Sequence, residues 1–195
     1  MANVGLKNSD TFSDILDVAE HLFRQIGHQK TTVADIAREL HMSPANIYRF
    51  FTTKGEINEA VAGRLLAEVE TGIRKIANSP RSAGVRLREV ILKVEKLNSD
   101  RFRSDRKLHD LLERTYNERW PIMDTHLEAV DRELVHIVSG GMTAGEFRQG
   151  VPQTAAILVR NACLRFLHPR FVVECAEDPE PTADQMVDFC LSALA

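Results

Sequence analysis

Between Ser43 and Lys54 the chain gathers groups able to grip a polyanion. They are the Ser43 hydroxyl, the Asn46 amide, the Tyr48 phenol, the Arg49 guanidinium and the Lys54 ammonium, with no carboxylate from His41 to Lys54. Cationic side chains hold phosphate oxygens, and a carboxamide can pair bidentately with the edge of adenine. From Lys30 to Lys54 four cations stand against two carboxylates, a local balance of +2 in a chain whose net charge is −3. A few placed cations are enough for phosphate contact, so a mildly acidic molecule can still carry a basic end. The chemistry is that of binding, not turnover. The sequence holds no phosphate loop, no GxGxxG, no HExxH and no GxSxG. Gly140, Gly141 and Gly145 lack the Lys-Ser/Thr that a phosphate loop needs, and His109, His126 and His136 are not spaced as a metal set. No enzyme, cofactor or metal is expected.

Those groups must be positioned by helices, because apolar spacing is helical nearly throughout. Phe12, Ile15, Leu16, Ala19, Leu22, Phe23 and Ile26 form one stripe, with Thr11 and Asp14 as a capping box and Gly27 as the stop. Thr32 opens a second helix with Asp35 as its reciprocal cap. His41-Met42 is a short break, Ser43 caps a third helix, and Pro44 takes its first position, where a missing N–H costs nothing. Thr53 and Glu56 open a long fourth helix that ends before Asn78-Ser79-Pro80. Leu87–Leu97 marks a fifth helix and Leu108–Leu112 a sixth. A seventh runs from Pro121 to Gly140-Gly141, an eighth from Pro152 to a kink or stop at His168-Pro169, and a last one from Thr182 to Leu194. The expected fold is all-α with about nine helices, no strand pattern being present. The fourth helix (53–77) links a helix-turn-helix DNA-binding domain over 1–55 to a C-terminal domain over 56–195. In such a motif the second helix presents its N-terminal side chains to the major groove.

No apolar run is long enough for a membrane, and the N-terminus lacks a secretory pattern. Cys163, Cys175 and Cys190 are odd in number and widely spaced, against a disulfide framework or a CxxC zinc site. A reducing cytoplasm is the expected compartment.

Residues 11–61 resemble the DNA-binding domain of the tetracycline-repressor (TetR) family of transcriptional regulators. The matching stretches are TFSDILDVAEHLFRQIG, TTVADIAREL and MSPANIYRFFTTKGEINEAV, with Ser-x-x-x-Ile-Tyr-x-x-Phe-x-x-Lys at their heart. The resemblance implies a DNA-binding set of Thr32, Ser43, Pro44, Ala45, Asn46, Tyr48, Arg49 and Lys54. Thr32 and Ser43 would meet phosphate at helix starts, Tyr48 and Lys54 would reach the DNA backbone, Arg49 stands where the family often has histidine, and Asn46 would read a base. Ala45 replaces a common glycine, and Gly55 a common acidic residue. The resemblance also implies a repressor, a palindromic operator and a homodimer built by the last two helices, with Ala155, Ala156 and Ala162 allowing close contact. It further implies release by a small, largely apolar effector, for which Phe102, His109, Leu112, Tyr116, Trp120, Met123 and His126 are the expected lining.

Overall fold

The computed structural model describes residues 3–178 and 180–195. They form eleven helices, and no strand occurs among the described residues. The chain divides into two compact units: residues 1–65 with 105–120, and residues 66–104 with 121–195.

The first unit holds α1 (Asn3–Ile26), α2 (Val33–Glu39), α3 (Pro44–Ile47), the start of α4 (Lys54–Ala77) and α6 (Arg106–Asn117). Its core is apolar: Ile15 and Phe23 of α1, Ile36 of α2, Ile47 of α3, Ile57 of α4, and Leu108, Leu111 and Leu112 of α6 are all buried. Phe12 and Phe51 stack with centroids 4.8 Å apart. α1 packs against both α2 and α6. It ends where Gly27 turns left-handed at φ 89°, after which Lys107 of α6 donates to the Gln25 carbonyl and Arg24 pairs with Asp105. α1 begins at Asn3, so Thr11 lies inside the helix and caps nothing. The apolar stripe marks where a helix must bury a face; it does not limit how far a polar N-terminal extension stays helical.

The second unit holds the rest of α4, α5 (Ala83–Ser104), α7 (Pro121–Thr143), α8 (Pro152–Ala162), α9 (Leu164–Leu167), α10 (Pro169–Glu174) and α11 (Ala183–Leu194). α5 packs against α7, α9, α10 and α11, and α7 against α8. Ile73, Leu87, Ile91, Leu134, Ile137, Val138, Ala156 and Val187 fill the centre. Cys163 and Cys190 belong to this core, and burial pushes the Cys163 thiol up to about 12, so it behaves as a small hydrophobe.

Two expectations change here. The eighth helix breaks after Ala162 at Cys163, then resumes as α9 and α10, so eleven helices replace nine. The break at His168-Pro169 is present, because His168 caps the end of α9; Pro169 then opens α10 in its first turn, where His168 Nδ1 accepts from Arg170 N at 3.2 Å. Gly140-Gly141 does not end α7, which runs on to Thr143. A Cβ on Gly141 would lie 2.3 Å from Phe147 Cδ2 and 2.8 Å from Ala83 Cβ, so this glycine serves close packing.

Candidate nucleic-acid interface

The turn between α2 and α3 is built by backbone hydrogen bonds. Leu40 caps α2, and His41 adopts the left-handed region at φ 53°. His41 N donates to Arg38 O at 3.1 Å and Met42 N to Ala37 O at 2.8 Å, the paired bonds of a Schellman stop. The chain then reverses into α3. Ser43 Oγ accepts from Asn46 N at 3.3 Å, and Pro44 occupies the first turn. Ile47 is fully buried and pins the helix to the core. Ser43, Pro44, Ala45 and Asn46 are exposed on the other side, as are Tyr48, at 51%, and Arg49.

The polar tips of Asn46, Tyr48 and Arg49 make no hydrogen bond or ion pair among the described residues. A solvated amide, phenol and guanidinium on one short helix and its exit are free to meet an external partner. Thr32 and Lys54 differ, because each already has work inside the fold. Thr32 Oγ donates to Asp35 Oδ2 at 2.7 Å and accepts from Asp35 N at 3.1 Å, while Asp35 Oδ2 accepts from Thr32 N. This full capping box holds the Asp35 carboxyl below the usual range, first through the Thr32 hydroxyl. Lys54 Nζ donates to Gln29 O at 3.0 Å, tying α4 to the turn after α1. Burial, then the Arg114 guanidinium, lowers its ammonium from the ordinary 10.5. An ammonium has three donors, so two remain for a phosphate. Thr53 Oγ accepts from Glu56 N as expected, but the Glu56 carboxylate reaches Thr52 N. Gly55 lies in the first turn of α4, and a Cβ there would meet Thr53 Oγ1 at 3.3 Å.

His28 is a residue the sequence does not mark. It is buried, its ring edge-on to Phe23 at 6.3 Å, and its Nε2 finds no partner. Burial lowers its pKa from 6.5, and the Arg114 and Lys54 charges lower it further against Asp110 and Glu118. A histidine one residue past a helix-stop glycine carries no sequence signal of burial.

The seven residues expected around an effector fall in different units. His109, Leu112, Tyr116 and Trp120 belong to the first, with His109 and Leu112 buried there and Trp120 Nε1 donating to Glu118 Oε2 at 2.9 Å. Phe102, Met123 and His126 belong to the second. Buried His126 lies 2.8 Å through Nδ1 from Glu70 Oε1. Phe102 lines a cleft of about 460 Å³. A separate groove of about 450 Å³ runs between α8 and α11, where Leu158 and Phe189 are 64% and 68% exposed.

A helix that buries one face, joined by a tight turn to a short, capped, outward-facing one, defines a helix-turn-helix module of the kind that reads duplex DNA. Sequence comparison places it further. Residues 15–61 match the family of bacterial regulatory proteins called the tetR family, and residues 83–187 match the tetracyclin repressor-like C-terminal domain. The chain belongs to the tetR family, whose members are DNA-binding transcription regulators. The comparison with curated proteins gives no match. Among solved structures, a TetR/AcrR-family regulator from Thermobifida fusca is 23% identical, with 94% of this chain and 95% of that one covered and a TM-score of 0.68. SmeT, the repressor of the Stenotrophomonas maltophilia multidrug efflux pump SmeDEF, is 21% identical over 94% of this chain and 89% of its own, with a TM-score of 0.71. FadR from Bacillus subtilis, solved with stearoyl-CoA, is 16% identical over 93% and 96%, with a TM-score of 0.64. At these identities the likeness is one of fold. No helix among the described residues is long and apolar enough to cross a membrane.

Proposed function

We propose that the chain is a homodimeric repressor that reads a palindromic operator in the cytoplasm and leaves it when a small molecule occupies its C-terminal part. The supporting observation is the free tip of α3: Asn46, Tyr48 and Arg49 are exposed and uncommitted while Ile47 anchors the helix. DNA reading belongs to residues 1–55, and dimerisation and effector binding to 56–195, with α4 linking them. Asn46 reads a base edge, Tyr48 and Arg49 hold the DNA backbone, and Lys54 spends its two spare donors on phosphate. Thr32 contributes through its place at the start of α2, its hydroxyl hydrogen being given to Asp35. Two copies pair through the apolar groove of α8 and α11, which supplies the twofold symmetry a palindrome requires. SmeT represses an efflux pump and FadR was solved with an acyl-CoA, in keeping with a regulator whose C-terminal part takes a small organic ligand.

The test is selection of duplexes from a random pool, followed by gel shift across a salt series. Lys54→Ala should weaken every duplex and reduce the slope of log K against log salt by about one unit, the loss of one phosphate contact. Asn46→Ala should relax preference at one position in each half-site. Uniform losses on all sequences for both variants, or no retardation at low salt, would overturn the reading.

A further inference from the structure

The turn from α1 to α2 is locked by a side chain as well as by its backbone. Gly27 takes the left-handed position, and its carbonyl accepts from Thr31 N at 3.1 Å and from Thr31 Oγ1 at 2.9 Å. His28 and Thr31 are both buried, so the chain is pinned on either side of Gln29 and Lys30, which are exposed. The Gln29 carbonyl accepts from Lys54 Nζ at 3.0 Å, which fixes the head of α4 to this turn. Lys30 therefore follows directly on the residue that holds the lysine proposed to meet phosphate. Thr32, the cap of α2, stands just beyond it.

Lys30 makes no hydrogen bond or ion pair among the described residues. The carboxylates that act on its neighbours His28 and Lys54 are Asp35, Asp110 and Glu118, and each is occupied. Asp35 accepts from Thr32 N and Thr32 Oγ1 and pairs with Arg38. Asp110 accepts from Arg106 Nε at 3.1 Å. Glu118 accepts from Arg114 Nε at 2.7 Å and from Trp120 Nε1 at 2.9 Å. The donors left over at this turn are thus cationic: two on Lys54 and three on Lys30.

A lysine with no partner is ordinarily a solvated surface group. This one differs in its placement. Its backbone is fixed by buried neighbours, so only the side chain must be ordered when an anion arrives. A strand whose phosphate meets Lys54 passes the turn to which Lys54 is bonded. Its next phosphate lies roughly 3.4 Å further along the duplex axis, a step that a flexible lysine stem beside the first cation spans.

We propose that Lys30 holds a DNA phosphate next to the one held by Lys54. The turn between α1 and α2 is then a third element of the interface, beside α3 and the head of α4. This rests on the reading of the chain as a DNA-binding regulator.

The experiment follows duplex binding by the full chain through fluorescence anisotropy across a salt series. It uses a duplex selected by the wild-type protein and a scrambled duplex of the same length. Lys30→Gln should weaken both about tenfold at low salt and lower the slope of log K against log salt by about one unit. Lys30→Arg keeps the charge and should restore both quantities. Lys30→Gln combined with Lys54→Ala should lower the slope by about two units, as two separate phosphates require. Lys93→Gln removes an exposed charge from α5 in the second unit and should leave the slope unchanged. The proposal is overturned by an unchanged slope in Lys30→Gln, by an equal fall in Lys93→Gln, or by no recovery in Lys30→Arg. A double variant with the slope of Lys54→Ala alone overturns it too. Wild-type binding that depends on Lys54 but not on Lys30 removes this contact and leaves the regulator reading standing. A wild-type protein that binds no duplex at low salt removes the regulator reading, and this contact with it.

Discussion

Phe189→Asp should separate the proposed dimer without unfolding either copy. Phe189 lies on α11 at 68% exposure, beside Leu158 of α8 at 64%, on the wall of the apolar groove. A phenylalanine side chain offers roughly 200 Å², so about 140 Å² remains open on each copy. At ~25 cal/mol per Å² this is about 3.5 kcal/mol per copy, and a twofold interface counts it twice. A pairing that covers only half of that surface still loses about 3.5 kcal/mol, a few hundredfold in dissociation constant. Burying a carboxylate in its place adds to the loss. Because the native ring is solvent-facing within one chain, the substitution removes little from the monomer core. Light scattering and sedimentation over a dilution series give the constant, and circular dichroism reports the fold. Val85→Asp is the control, as Val85 is an exposed apolar residue of α5 at 44% that does not line the groove. A dimer of unaltered affinity in Phe189→Asp, or equal weakening by Val85→Asp, would refute the assignment of this face.

Gly141→Ala should lower stability despite its better helix propensity. The new methyl would approach Phe147 and Ala83 at 2.3 and 2.8 Å, both buried, and overpacking of this kind costs about 1–3 kcal/mol against roughly 1 kcal/mol gained in the helix. A melting temperature lower by about 4 °C is expected, and one equal to or above wild type would remove the argument. The N-terminal unit should weaken in mild acid. The folded pKa of His28 lies below its ordinary 6.5, so the unfolded chain binds the proton more readily; stability is full above 6.5 and declines as pH falls below it. His28→Leu should narrow the difference in melting temperature between about pH 7.5 and pH 5.5, the remainder reflecting groups such as His126, which burial lowers in the same way. An unchanged difference would show that His28 is not the group concerned.

Local chemistry was legible at most helix starts, though not at Thr11, which lies inside α1, nor fully at Thr53, whose partner Glu56 turns to Thr52 N. The Thr32 and Thr182 boxes are both reciprocal, with Asp35 and Gln185 as partners, and Ser43 with Pro44 opens α3 as the residue types require. The candidate DNA-binding residues all fall in one unit for the same reason: they lie close together in the chain. What the sequence hid depends on distant partners. Nothing near Lys54 announces that its ammonium binds Gln29 O, and nothing near Gly141 announces Phe147. The Cys163 break is equally silent, because no proline or glycine marks it. His41 takes the left-handed position without being glycine, so the Schellman stop of α2 could not be read from residue type.

The path of the chain bears on how a ligand in one unit could influence DNA held by the other. α4 crosses from the first unit to the second after Leu65; the chain returns after Ser104 to contribute α6, then leaves again at Pro121. The units are thus joined covalently at three points. A tether at one point would let an effector reorganise its own unit and leave the other untouched. With three, α6 enters the first unit straight from α5 and leaves it straight into α7, so both its neighbours in the chain lie in the second unit. That helix is fastened to α1 by buried Leu108, Leu111 and Leu112 and by Lys107 and Asp105 at the end of α1. Arg114 of the same helix acts electrostatically on both His28 and Lys54. The lysine proposed to meet phosphate thus shares its surroundings with a helix whose two flanking segments belong to the second unit. Coupling of this kind requires only differential affinity of the effector for two positions of α6, and by linkage DNA would lower effector affinity by the same factor.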